Sequence, residues 1–188
     1  MNELLIEKCR ENDRLAQKEL YEHYFGKMYA ICMRYMKKPD EALEVLNLGF
    51  FKVFKNIGQF KNKGSFEGWI KRIVINTALD YIKERKNYNT YISPNSEYLD
   101  IYNGETDNTV VSQYNVEEIM KLVHMLPPMA KAVFNLYAID GYSHREIGEQ
   151  LNISEVTSRT YLHAARQKLK AMLKKKANLE KVEVRNGQ

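Results

Sequence analysis

The stretch GYSHREIGEQLNISEVTSRTYLHAARQKLKAM, residues 141–172, spells two helices joined by a tight corner. Ser143 followed by Glu146 is a capping box, in which the hydroxyl takes an orphan backbone N–H and the carboxylate reaches back. Ile147 and Leu151 then fall one turn apart. Asn152 tolerates the left-handed conformation that ends a helix. Ile153 plugs the corner, and Ser154 is a good N-cap for the second helix. On that helix Leu162, Ala165, Leu169 and Met172 recur at spacings of three and four, which predicts one buried stripe. Val156, Thr160, His163, Ala164 and Gln167 then point outward, flanked by Arg159, Arg166 and Lys170. A short helix with a small, hydrogen-bonding outer face and basic flanks suits the DNA major groove. The plainer reading is a helical hairpin with a solvated basic face.

The 188 residues allow one or two domains. With 44% hydrophobic residues the chain can fill packed cores, and no apolar run approaches the roughly 20 residues of a membrane span. Met1 to Arg10 has no basic start followed by an apolar stretch, so a signal peptide is not expected and a cytoplasmic location is. Cys9 and Cys32 form no C-x-x-C, and buried free thiols are expected rather than a disulfide or zinc site. Lys and Arg number 29 against 24 Asp and Glu, a net charge of +5, which permits nucleic-acid binding without requiring it. No G-x-x-x-x-G-K-[ST], H-E-x-x-H or G-x-S-x-G occurs, and His23, His124, His144 and His163 are scattered. Neither an enzyme nor a metal or cofactor site is expected.

Charge is unevenly placed. From Asn87 to Met120 there is no Lys or Arg, while Glu97, Asp100, Glu105, Asp107, Glu117 and Glu118 are acidic. Lys83, Arg85 and Lys86 precede this segment, and Arg166 to Lys176 follow it, so two basic lobes share an acidic connection. Asn87 to Asn115 is polar, contains Pro94 and Gly104, and lacks a helical period, which predicts a linker. The expected organisation is a first domain over 1–87, a linker over 88–115, a helix-turn-helix domain over 116–176 and a fraying tail over 177–188.

The fold class expected is all-α, since no stretch alternates as a strand would. Asn12 to Lys38 predicts a helix or a pair, with Leu15, Leu20, Tyr24, Met28, Ile31 and Tyr35 near one face. Pro39 breaks the pattern, and Asp40 can begin the next helix, where Ala42, Leu46, Phe50, Val53 and Ile57 repeat. After Gly58 comes a basic loop through Lys61, Lys63 and Gly64, and Ser65 with Phe66 opens a helix to Lys86. Phe66, Ile70, Ile73 and Thr77 form its inner face. Trp69, Arg72, Asn76, Asp80 and Lys83 form a second stripe that could stack on unpaired bases and hold their backbone. Alternatively Trp69 is core and Asp80 pairs with Lys83 or Arg72. Leu126-Pro127-Pro128 closes one later helix, and Pro128 can start the next.

Together these residues resemble the bacterial RNA polymerase sigma factors, specifically the small extracytoplasmic-function (ECF) group. The C-terminal likeness lies in Leu126-Pro127-Pro128, Gly141-Tyr142-Ser143, Glu146-Ile147-Gly148 and Thr157 through Leu169. The N-terminal likeness lies in Leu20-Tyr21, Tyr24, Asp40 to Phe54, Phe60, Phe66, Trp69, Ile73, Asn76, Asp80 and Lys83. The resemblance implies contact between the second helix of the hairpin and the −35 promoter element through Ser158, Arg159, Thr160, His163, Arg166 and Lys170. It implies binding and melting of the −10 element around Lys63, Ser65, Phe66, Trp69, Asn76, Asp80, Lys83, Arg85 and Lys86. Asp40, Glu44, Asn47, Phe50 and Phe51 would meet core RNA polymerase, whose β and β′ subunits are implied partners together with promoter DNA and an anti-sigma protein. Two departures stand out. The acidic row usual in the polymerase-binding helix is here Ala42, Leu43, Glu44, then Asn47, Leu48, Gly49. In the recognition helix Val156 replaces a usual Gly and Ala164 a frequent basic residue, so no DNA contact carries over to Ala164. The alternative is a helix-turn-helix regulator that works without being a polymerase subunit.

Overall fold

The computed structural model describes the backbone of residues 3–61, 64–90 and 116–186, and the side chains of 3–61, 64–85 and 118–178. The chain divides into two compact units, Met1–Ile92 and Ser93–Gln188. All regular structure among the described residues is helical, as the sequence predicts.

The first unit packs α1 (Glu3–Arg10), α2 (Arg14–Tyr35), α3 (Pro39–Asn56), a 3-10 turn (Ile57–Gln59) and α4 (Phe66–Thr90). Helix α2 starts where Asp13 accepts hydrogen bonds from the N–H groups of Leu15 and Ala16, at 2.8 and 3.0 Å. Pro39 does not precede α3 but is its first residue, a position that needs no N–H. The core joins Leu20, Tyr24, Met28 and Cys32 of α2 to Val45, Leu46, Phe50 and Val53 of α3 and Ile70, Val74, Ile75 and Leu79 of α4. Leu15, expected inward, is 79% exposed because the buried stripe of α2 runs through Ala16, Leu20, Tyr24 and Met28, and Leu15 lies about 100° round the helix from its neighbour Ala16. On α4 the inward row is Ile70, Val74, Thr77 and Ala78, with Ile73 only half-buried. Both cysteines are buried and free. Burial pushes the Cys9 thiol up to about 11 and the Cys32 thiol up to about 12, so neither is a ready nucleophile.

The second unit packs α5 (Val116–His124), α6 (Pro128–Phe134), which widens into a π turn (Asn135–Ile139), α7 (His144–Leu151) and α8 (Glu155–Asn186). Val123, Leu126 and Ala130 meet Ala165 and Leu169 in its core. Pro128 opens α6, as the sequence predicts, and Pro127 stands at its N-cap position. Two boundaries move. Helix α4 runs to Thr90 rather than stopping near Lys86, and α8 stays helical to Asn186 where a fraying tail was expected from residue 177. The acidic stretch of 91–115, with Tyr91, Tyr98 and Tyr102, lies outside the described residues.

Candidate nucleic-acid interface

The hairpin of the second unit is built by short-range hydrogen bonds. The Ser143 hydroxyl accepts from the Glu146 N–H at 3.3 Å, and the Ser143 N–H donates to the Glu146 carboxylate at 2.9 Å. Asn152 sits at φ 55° and ψ 51°, the left-handed conformation that turns the chain out of α7. Helix α8 opens where the Ser154 hydroxyl accepts from the Thr157 N–H at 3.0 Å. At the corner the helices nearly touch: a Cβ on Gly148 would lie 2.8 Å from the Ile153 carbonyl oxygen, so only glycine fits there.

Helix α8 buries Ser158, Leu162, Ala165, Leu169 and Leu173, and leaves Met172 half-buried. Ser158 therefore does not belong with the outward residues among which it was expected. It stands four residues before Leu162 on the inner stripe, and its hydroxyl lies 3.0 Å from His144 Nδ1. Arg159, Thr160, His163, Ala164 and Arg166 are exposed, and Lys170 is half-buried at the flank. Arg159 pairs with Glu155 one turn earlier. The Thr160 hydroxyl donates back to the Val156 carbonyl at 3.1 Å. The Arg166 guanidinium lies 5.7 Å from the centre of the Tyr137 ring, which stacks on His144 at 4.5 Å. Desolvation first, then the Arg159 charge, opposed by Glu155 and aided by a smaller contribution from Arg166, hold the His144 imidazole below its ordinary value.

In the first unit the residues expected at melted DNA separate into several environments. Phe66 is core: its ring lies 4.9 Å from Phe60, 5.6 Å from Trp69 and 6.2 Å from Tyr24. A 6% exposed ring knitted into that cluster is not available as the wall of an open base pocket. Trp69 is half-buried, between the stacking role and the core role set out for it, with its plane 22° from that of Phe66. Ser65 is exposed and accepts from the Gly68 N–H at 3.3 Å, which caps α4. Asn76 is half-buried, and its side-chain oxygen is buried with no hydrogen-bond partner. Asp80 pairs with Lys52 of α3 at 3.2 Å. Lys83 is half-buried. Arg85 is exposed but pairs with Glu41 of α3 and lies over the Tyr81 ring at 4.9 Å. Lys63 and the Lys86 side chain lie outside the described residues.

The outer face of α3 carries Asp40, Glu44 and Asn47, all exposed. Glu44 accepts from the Tyr81 hydroxyl at 2.8 Å and Asn47 from the Tyr21 hydroxyl at 2.9 Å. Phe51 is 66% exposed beside Leu43 and Leu48, an apolar patch with no cover in the first unit. Phe50 is instead 2% exposed and packs edge-on against Tyr21 at 4.7 Å, so it is a core residue and not a partner contact. The sequence signal for the patch was present in the replacement of acidic residues by leucines. Gly49, in the same row, faces α4, where a Cβ would meet Val74 Cγ2 at 3.1 Å.

Fold and geometry thus define a class: a helical chain of two units, one carrying a capped helix-turn-helix with a basic outer face. A family model for sigma-70 region 2 matches residues 20–88, and one for sigma-70, region 4, matches residues 116–169. The ECF RNA polymerase sigma factor SigW of Bacillus subtilis is 28% identical over 177 residues, spanning 90% of this chain and 95% of its own. The ECF RNA polymerase sigma-E factor of Haemophilus influenzae is 24% identical over 174 residues, spanning 88% and 92%. A solved complex of the sigma factor RpoE from Bartonella quintana with the anti-sigma factor NepR shares the fold, with a TM-score of 0.53 and 16% identity over 84% of this chain and 96% of that one. The chain belongs to the sigma-70 family, among its ECF factors.

Proposed function

We propose that this chain is the promoter-recognition subunit of a bacterial RNA polymerase, acting in the cytoplasm and performing no bond chemistry itself. The carrying observation is that one chain holds region 2 and region 4 in that order. A regulator built on a helix-turn-helix alone has no use for the first. Among the described residues no helix is long and apolar enough to cross a membrane. None of them forms a cluster suited to a metal ion.

Within that reading, Arg159, Thr160 and His163 read the upstream major groove, while Arg166 and Lys170 hold phosphates. The first unit holds the strand that separates. Opening costs on the order of 1.4 kcal/mol per base step, offset by stacking and charge on the captured strand. Trp69 is the α4 group best suited to stack on an unpaired base, because its ring is only half-buried while Phe66 is closed into the core. Asp40, Glu44, Asn47 and Phe51 on α3 meet the polymerase, with Leu43 and Leu48 supplying an apolar contact in place of acidic ones. An anti-sigma protein is the proposed inhibitor, as NepR accompanies RpoE. The test is run-off transcription of genomic fragments by core polymerase with and without the purified chain. Discrete new transcripts are expected only with it. An unchanged transcript pattern would favour a regulator that acts without being a subunit.

A further inference from the structure

Resting on that reading of α8, we infer that its outward face reads thymine C5-methyl groups through an apolar stripe of Val156, Thr160 and Ala164. These positions repeat every four residues, so their side chains line up along one side of the helix. Val156 is 71% exposed in the first turn of α8, and nothing in its unit covers it. A β-branched residue there lowers helix propensity and leaves its methyls in water, so it contributes nothing to the isolated fold. Thr160 spends its hydroxyl on the Val156 carbonyl at 3.1 Å, which leaves the methyl as the group it offers outward. Ala164 is exposed and adds a third methyl. The surround is cationic: between His144 and Lys176 there are eight Lys and Arg against three Glu. A methyl-lined strip bordered by phosphate-binding charge is complementary to a major groove in which thymine supplies the only apolar group. Arg159, beside the strip, contacts bases or backbone without contributing to methyl readout.

The test uses the full chain assembled with core polymerase and a duplex library randomised over the upstream element. Enriched duplexes are then remade with deoxyuridine replacing each thymine in turn, which deletes only the methyl. The expected result is a loss of capture of about fourfold at one or two positions, the worth of one buried methyl. Val156→Ala, an exposed change that keeps the helix, should weaken the thymine duplex by a similar factor and be indifferent to deoxyuridine there. Enrichment without thymine, or equal capture of thymine and deoxyuridine duplexes at every position, would overturn the inference while leaving promoter recognition intact. Failure to enrich any duplex would overturn both.

Discussion

Arg159 and Arg85 are both exposed arginines ion-paired to a glutamate, yet the pairs differ in what they hold. Arg159 pairs with Glu155 on its own helix, one turn back, and the side chains are 62% and 47% exposed. Such a pair is worth about 0.3–0.5 kcal/mol, so on the proposed reading it would give way to DNA at little cost. Arg85 reaches from α4 to Glu41 on α3, a carboxylate only 19% exposed. Tyr81 to Glu44 and Lys52 to Asp80 join the same two helices nearby. One arginine is therefore parked and the other is a strap. Exposure and charge alone do not separate them; the sequence distance to the partner does.

That difference sets the expected effects. Arg159→Ala should lower promoter-specific transcription by roughly ten- to a hundredfold, in the range of a lost base-reading arginine, while thermal stability barely moves. Measuring both on one preparation checks it, and a large drop in melting temperature would break the contrast. The two close glycines give a second comparison. Gly148→Ala should destabilise the second unit by about 1–3 kcal/mol, because its Cβ would strike a backbone carbonyl that cannot rotate away. Gly49→Ala should stay within roughly 1 kcal/mol of the parent, because Val74 Cγ2 can yield and alanine favours the helix. Denaturant unfolding of the two variants reads this directly. Arg85→Ala should produce a small, salt-sensitive fall in the melting temperature of the first unit and a smaller transcription defect than Arg159→Ala.

The weakest expected effect is on pH. His144 is held below its ordinary 6.5 in the folded chain, so the unfolded chain takes up its proton first as the pH falls. Its contribution is present above 6.5 and is lost as acidification proceeds through the lower folded value. Melts between about pH 7.5 and 5.5 should show this acid-side loss, and His144→Gln should flatten it. An acid-side slope unchanged by His144→Gln would show that other groups set it.

The same distinction between near and distant partners explains what was legible beforehand. The capping box of Ser143 and Glu146, the left-handed Asn152 and the Pro127-Pro128 start of α6 are all written within a few residues, and each was readable. The stripe of α8 was readable too, but its first member was not. A serine carries no hydrophobic signal, so nothing marked Ser158 as the partner of His144. On α4 the spacing of three and four identified a second stripe without saying what it faced. Asp80 and Arg85 turn out to meet α3, from 28 and 44 residues away, and no local pattern encodes that. Helix α1 was missed for a related reason. It is short, and besides burying Ile6 and Cys9 it is tied by the Arg10 guanidinium donating to the Phe60 carbonyl at 2.6 Å, a contact 50 residues away. Phe50 and Phe51 were expected to act together, yet adjacent helical residues diverge by about 100°, which sends one ring into the core and the other to the surface.

A chain of this kind should recognise DNA only as part of a polymerase. Fluorescence anisotropy of a labelled promoter duplex, titrated with the purified chain in the presence and absence of core enzyme, measures this most directly. Specific capture should appear only when core enzyme is present, with the chain carried in the same complex. Equally tight and specific capture by the chain alone, with no stable complex formed with core enzyme, would contradict it.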